Sequence, residues 1–245
     1  MRRLFYKGIL KDTIEIKGTD AHHLLHVLRA KEGQELLVVD DENRTARMRM
    51  TAFSSDTVTL SLVEVLELDT ESPIEISLAQ CLLKADKMDF VVQKAVELGV
   101  KRILPIESRN CVVRYDDKKK EARRQRWQRV ADEAAKQCGR SALAEVFGIV
   151  ELAEFLAGID SSDDMELLFC YENEVQHSMK EYLRQSSARH ICLLIGPEGG
   201  FNPEEAELVE KAGGASVTMG PRILRAETAA LAAISAVQYE KGDLG

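Results

Sequence analysis

The run Ile191–Ile195 is wholly apolar and passes without a break into Gly196-Pro197-Glu198-Gly199-Gly200, then Phe201-Asn202-Pro203-Glu204-Glu205. A short apolar run bounded by glycine reads as a buried strand. The residues after the glycines carry the marks of a helix start: Asn202 can cap it, Pro203 suits its first position, and Glu205 can complete a capping box. Glycines at such a joint permit positive φ and let a ligand approach the backbone closely. In open α/β sheets ligands bind beyond the carboxyl ends of the strands, which is where this turn falls.

A second joint of the same kind lies nearer the C-terminus. Val217-Thr218-Met219 runs into Gly220-Pro221-Arg222-Ile223-Leu224-Arg225, and a helix begins near Glu227-Thr228. Three of the five prolines (Pro197, Pro203 and Pro221) lie in or beside the two loops, so both are expected to be pre-shaped. The first loop lacks the GxGxxG spacing of a dinucleotide site and the Lys-Ser/Thr of a phosphate-binding loop. A carboxylate at Glu198 would also repel a phosphate, so the loop suits a ligand without phosphates. A plain strand-to-helix turn is the alternative for either loop alone; two at adjacent strand ends favour a pocket.

The rest of the chain divides in two. From Ile74 onward strands and helices alternate: strands at Ile74–Cys81, Lys101–Ile106, Glu166–Cys170, His190–Ile195 and Ala215–Met219, with helices at Lys84–Leu98, Asp117–Cys138, Pro203–Ala212 and Glu227–Tyr239. That alternation predicts an α/β domain with a mostly parallel sheet. In the final helix Leu231, Ile234 and Val237 share a face that suits either the domain's own core or a dimer contact. Residues 1–70 instead offer short strand-like pieces at Glu35–Asp40, Thr45–Thr51 and Thr57–Val65, which suggest a small barrel or sandwich. One short helix is expected there at His22–Arg29, with Asp20 as its cap. Asp69-Thr70-Glu71-Ser72, ahead of Pro73, reads as the linker, giving domains 1–70 and 71–245.

Charge and cysteine content narrow the function classes. No apolar run near the motifs approaches the ~20 residues of a membrane span, and the basic N-terminus lacks the apolar region of a signal peptide. Five scattered cysteines without a CxxC pair suggest reduced thiols and a cytoplasmic protein. His22 and His26 lie one helical turn apart, but no further ligands accompany them, and no metal is expected. The net charge of −8 argues against nucleic acid as a partner, except that Lys118–Arg129 carries seven basic residues and one acidic one. A solvated helix face is the alternative for that stretch. Trp127, spaced with Val130, reads as core before it reads as a base-stacking platform.

With these residues in view the chain resembles the ribosomal RNA small subunit methyltransferase E family, within the SPOUT methyltransferases. The resemblance rests on IGPEGGF (195–201) and MGPRILRAETAAL (219–231), supported by KADKMDFVVQKAVELGV (84–100), RWQRVADEAAKQCGR (126–140) and HHLLHVLRAKEGQEL (22–36). Glu107–Cys111 follows the family's usual stretch only loosely. The resemblance implies a PUA-like RNA-binding β-barrel followed by an α/β domain with a C-terminal trefoil knot. It further implies a homodimer, S-adenosyl-L-methionine as cofactor, and methylation of N3 of a uridine in small-subunit ribosomal RNA, naked or in the assembled subunit. The cofactor would lie against Leu194, Ile195, Gly196, Pro197, Glu198, Gly199 and Gly200 and against Met219, Gly220, Ile223, Leu224 and Arg225. With RNA as substrate, Lys118, Arg123 and Arg126 become candidate phosphate contacts, extended by Arg2, Arg3, Arg29 and Lys31.

Uridine N3 holds a proton and is a poor nucleophile until it leaves; the resulting charge spreads onto O2 and O4. A guanidinium beside the ring would stabilise that charge, which makes Arg225 the candidate catalytic residue. Pairing with Glu227, or capping the loop, is the alternative for Arg225. The motifs hold no histidine, and Glu198 and Glu227 suit a structural role as well as that of a general base. Two other readings are a dinucleotide-dependent α/β enzyme, against which the missing GxGxxG counts, and a catalytically inactive ribosome-assembly factor, which has no need of the loops.

Overall fold

The computed structural model describes residues 2–68, 70–159 and 165–245. Met1, and Asp69 in the expected linker, lie outside the described residues. The chain forms two compact units: the segment up to Glu71 together with Ala135–Ala142, and Ser72–Ala134 together with Leu143–Gly245.

The first unit contains β1 (Arg3–Phe5), β2 (Thr13–Lys17), α1 (Gly18–His22), β3 (Glu35–Val39), β4 (Thr45–Phe53) and β5 (Thr57–Leu66). Among the described residues these strands form one sheet in the order β1-β3-β4-β5-β2, antiparallel except for the β1–β3 pair. Alternation along each strand turns Ile14, Ile16, Leu36, Val38, Met48, Met50, Val58 and Leu60 to one face, where Leu24 covers them. Register shifts between β4 and β5 at Arg47/Met48 and Met50/Ala52 bend the sheet into a half-barrel. Asp20 is not a cap. The helix begins at Gly18 with Lys17 at its N-cap, and Asp20 sits in the first turn, 3.2 Å from Lys136 Nζ. The helix continues in π form over His23–Val27, and Arg29 leaves it at φ 48°. Glu71 fastens 135–142 to this unit by accepting hydrogen bonds from Ser141 N (3.0 Å) and Ala142 N (3.1 Å).

The second unit contains β6 (Glu75–Cys81), α2 (Lys87–Glu97), β7 (Arg102–Glu107), α3 (Asp117–Cys138, its last turns counted with the first unit), β8 (Glu145–Val146), β9 (Val150–Glu151) and α4 (Leu152–Ala157). It continues with β10 (Met165–Cys170), α5 (Met179–Gln185), β11 (His190–Ile195), α6 (Pro203–Lys211), β12 (Ala215–Val217) and α7 (Ala226–Lys241). The sheet runs β12-β10-β11-β6-β7-β8, with β9 also on β7, and every pair is parallel. Strand order departs from β6 in both directions, so the switch point falls between β6 and β11, beside the first glycine loop. Helix α7 packs on α2 and α5, and Ile234 and Val237 are fully buried, so that face serves the unit's own core. Trp127 is buried as well, its Nε1 donating to Asp89 at 3.1 Å. Helix α2 starts at Lys87 rather than Lys84, because Ala85 takes φ 51° and interrupts the helical path.

Candidate active site

The parallel sheet sets three strand ends side by side. The first glycine loop follows β11 and the second follows β12. Between those strands lies β10, so its own exit, Tyr171-Glu172-Asn173, emerges between the two loops. Tyr171 N donates to Val217 O (3.3 Å), and Thr218 N donates to His177 O (2.8 Å), which ties this exit to the second loop. On the other side Phe169 meets Phe201 edge-on at 4.9 Å and stacks on Tyr171 at 5.0 Å. Phe201 lies so close over Gly196 that a Cβ there would stand 3.0 Å from its ring.

The first loop is clamped from β6, α2 and β7. Asn110 Nδ2 donates to the carbonyls of Gly199 (3.2 Å) and Gly200 (3.1 Å). Its neighbour Arg109 donates from the backbone to Glu205 Oε1 (2.7 Å), while Asn202 and Glu205 form the expected capping box. The Asn110 turn is stiffened by Cys111, whose Sγ accepts from Ser108 N at 3.4 Å. A hydrogen bond from Cys81 holds the Cys111 thiol down at about 6 despite its burial. Glu198 accepts from Lys84 N (3.3 Å) and Lys87 Nζ (3.2 Å), and Lys87 reaches Glu227 Oε2 at 3.5 Å. Gly200 takes φ 65°, and any side chain there would overlap Glu172 Oε1.

The second loop is looser. Gly220 has φ 110° with open space where a Cβ would stand, and Ile223 is 87% exposed. Leu224 is half-buried, whereas Arg222 and Arg225 are exposed. Arg225 is the N-cap residue of α7; its carbonyl accepts from Ala229 N (2.7 Å), but its side chain caps nothing. Nor does it pair with Glu227, which faces Lys87 instead. Among the described residues the Arg225 guanidinium has no partner, which leaves it available to a ligand.

The surroundings suit a ligand rich in N–H groups and positive charge. Gln80 Oε1, at the base of the first loop, is a buried acceptor with no hydrogen bond among the described residues, and Glu227 Oε2, at the base of the second, has only the Lys87 ammonium at 3.5 Å. Buried polar atoms are seldom left so. The ammonium and adenine amino group of S-adenosylmethionine carry the donors such oxygens lack. Leu194 and Ile195 put their side chains into the core and offer only backbone.

The basic residues are dispersed. In α3, Lys118 is exposed, Arg123 stacks 5.3 Å over the Tyr115 ring, and Arg126 donates to Asp89 (2.9 Å). In the first unit Arg2, Arg29 and Lys31 are exposed, whereas Arg3 is half-buried, with Nε and Nη1 lacking partners among the described residues. His22 and His26 stack at 4.6 Å, and among the described residues no group of three or more potential ligands is placed to hold a metal. Sequence reasoning missed Lys87, Asn110 and Glu172 as parts of the site. Each lies beyond the carboxyl end of a strand correctly read from the sequence, and that position was the available signal.

A half-barrel unit and a parallel sheet whose strand ends carry paired glycine loops make up an RNA methyltransferase. Residues 70–238 match the RNA methyltransferase domain family, and residues 16–63 match the RNA methyltransferase PUA domain. The ribosomal RNA small subunit methyltransferase E of Bacillus subtilis is 31% identical over 93% of this chain and 90% of its own. Among solved structures, the enzyme of that name from Neisseria gonorrhoeae, bound to S-adenosyl methionine, is 32% identical over the whole of both chains with a TM-score of 0.90. A putative Legionella pneumophila methyltransferase in complex with the same cofactor is 31% identical, with a TM-score of 0.88 over 99% of this chain and 98% of that one. The chain belongs to the ribosomal RNA small subunit methyltransferase E family.

Proposed function

We propose that this protein moves a methyl group from S-adenosylmethionine to N3 of a uridine in small-subunit ribosomal RNA. The observation that carries the reading is the pair of glycine loops flanking the unsatisfied buried Gln80 Oε1 and the Glu227 carboxylate, in a chain that matches the cofactor-bound gonococcal structure end to end.

When bound, the cofactor supplies an electrophilic methyl group; the protein's task is to hold the acceptor in line with it, mostly a matter of position. Backbone groups of Leu194–Gly200 and Met219–Arg225 would hold the cofactor, and Gln80 and Glu227 would receive its N–H groups. Glycine at 200 and 220 keeps the backbone approachable. Arg225, with no internal partner, would steady the negative charge that develops on uridine O2 and O4.

The remaining assignments belong to the same proposal. Residues 1–70 act as an RNA-binding module, and Arg2, Arg29 and Lys31 with Lys118, Arg123 and Arg126 contact phosphate. The return of α7 from edge strand β12 to pack on β6, β11 and α2, past the first loop, supports a C-terminal trefoil knot within 71–245. Family membership supports a homodimer. Among the described residues no helix is long and apolar enough to cross a membrane, in keeping with a cytoplasmic site of action. Calorimetry with S-adenosylmethionine and mass spectrometry of ribosomal RNA from cells lacking the gene test the reading together. Micromolar-range binding and the loss of one N3-methyluridine support it; no binding by folded protein refutes it.

A further inference from the structure

We infer that Glu172 is the catalytic base that takes the N3 proton of the target uridine; the inference rests on methyl transfer to that atom being the reaction. Carboxylates crowd the loops, and all but one are engaged. Glu198 is held by Lys84 N and Lys87, and Glu227 faces Lys87. Glu174 accepts from Gln176 N and from His177 N (3.0 Å), Glu204 pairs with Arg109, and Glu205 serves the capping box and Arg109 N. Glu172 makes no hydrogen bond or ion pair among the described residues and is exposed to solvent.

Its place is equally specific. It leaves β10 between the strands that feed the two cofactor loops, and its Oε1 occupies the space that any side chain at Gly200 would need. This places an unengaged, solvent-open carboxylate beside the Gly200 α-carbon at the rim of the first loop, where it would be available to an acceptor brought to the cofactor. The Tyr171 ring below it is fixed by stacking on Phe169 and by Asn173 Nδ2, which donates to the Tyr171 hydroxyl at 3.0 Å.

The step balances. The N3–H bond breaks and its proton passes to a Glu172 oxygen, the nitrogen's electron pair takes the methyl carbon, and the pair of the carbon–sulfur bond stays on sulfur as a neutral thioether. Glu172 then returns the proton to water. Arg225, on the opposite loop, balances the charge on the ring oxygens during transfer.

The test uses full-length protein and small-subunit particles from cells lacking the gene, with N3-methyluridine measured by mass spectrometry. Wild-type protein must form that product; if it forms none, the parent reading falls and this inference with it. Glu172→Gln is expected to lower turnover at saturating methyl donor by about 100-fold or more. Its calorimetric affinity for the methyl donor stays within about two-fold, and the low-pH limb of the kcat profile disappears. Glu172→Asp should recover part of the rate. Turnover of Glu172→Gln within about three-fold of wild type overturns the inference. So does a loss confined to methyl-donor affinity, which would assign Glu172 to the cofactor's ammonium.

Discussion

Lys87 Nζ lies 3.2 Å from Glu198 Oε1, and the same ammonium reaches Glu227 Oε2 at 3.5 Å, so one residue of α2 spans both glycine loops. Burial pushes the Glu198 carboxyl up, but hydrogen bonds from the Lys84 amide and Lys87 outweigh it and hold it below the usual carboxylate range. A carboxylate lowered on folding adds stability above its unfolded pKa, about 4.3, and loses it as pH falls through the folded value. Lys87→Met should therefore weaken methyl-donor binding roughly two- to five-fold at neutral pH and low salt. The difference from wild type should shrink in high salt and as pH falls below about 4.3 through the folded value. Calorimetry at two salt concentrations and two pH values checks this; a salt-independent loss would locate the role of Lys87 elsewhere.

Gly200 combines a left-handed φ of 65° with a Cα face pressed against Glu172. Gly200→Ala meets two costs, backbone strain of about 1–2 kcal/mol and displacement of Glu172 or of the loop. Methyl-donor affinity should drop at least about ten-fold while circular dichroism stays native. Adding Glu172→Ala should recover the steric part of the loss and leave the strain. No recovery in the double variant would mean that the loop, not Glu172, gives way.

Arg225→Ala should separate chemistry from binding. The guanidinium holds no internal partner, so its removal leaves no buried group unsatisfied and the fold should not notice. Loss of one cation aimed at developing charge costs on the order of 10²-fold in kcat. Single-turnover rates at saturating methyl donor, compared with methyl-donor Kd, read the two effects apart. Equal losses in both would make Arg225 a cofactor contact only.

The strand-to-helix joints were legible in the sequence because local chemistry decides them. Asn202, Pro203 and Glu205 specify a helix start whatever surrounds them, and the capping box is present as expected. Burial also followed from pattern: Trp127 and the apolar residues of β11 lie in the core. What escaped was set by tertiary context. Asp20 has the chemistry of a cap, yet the helix begins two residues earlier and its carboxylate meets Lys136 instead. Strand β1 and helices α4 and α5 are too short for periodicity to show, whereas β2 alternates over five residues, as many as β3 has, and was passed over. The place of Glu172 just past a strand end was legible, but its place between the two loops was not, since nothing local puts β10 between β11 and β12.

Gln238 shows how such a context-made contact can carry stability. It lies 140 residues beyond Leu98 in sequence, yet its Nε2 donates to the Leu98 carbonyl at 2.8 Å and its Oε1 accepts from Ser72 Oγ at 2.7 Å. The amide is buried and sits where a side chain at Gly99 would have to go; Gly99 itself has φ 87° and ends α2. One side chain of α7 thus satisfies the part-buried Leu98 carbonyl at the end of α2 and anchors the entry to β6. Gln238→Leu keeps the volume but leaves the Leu98 carbonyl without its side-chain donor and the Ser72 hydroxyl without an acceptor, with only the Ile74 N–H still donating to it at 3.3 Å. One part-buried carbonyl left unmatched and one buried hydroxyl deprived of its acceptor cost about 1–3 kcal/mol, and for a unit of this size the melting temperature should fall by roughly 3–10 °C. Gln238→Glu distinguishes charge from shape, because a buried carboxylate accepts from Ser72 but sets an unpaired oxygen against the Leu98 carbonyl; it should be less stable than Gln238→Leu near pH 7 and recover as the carboxyl protonates in acid. Thermal melts of the three proteins order them, and a Gln238→Leu variant as stable as wild type would show that the helix ends are satisfied by water instead.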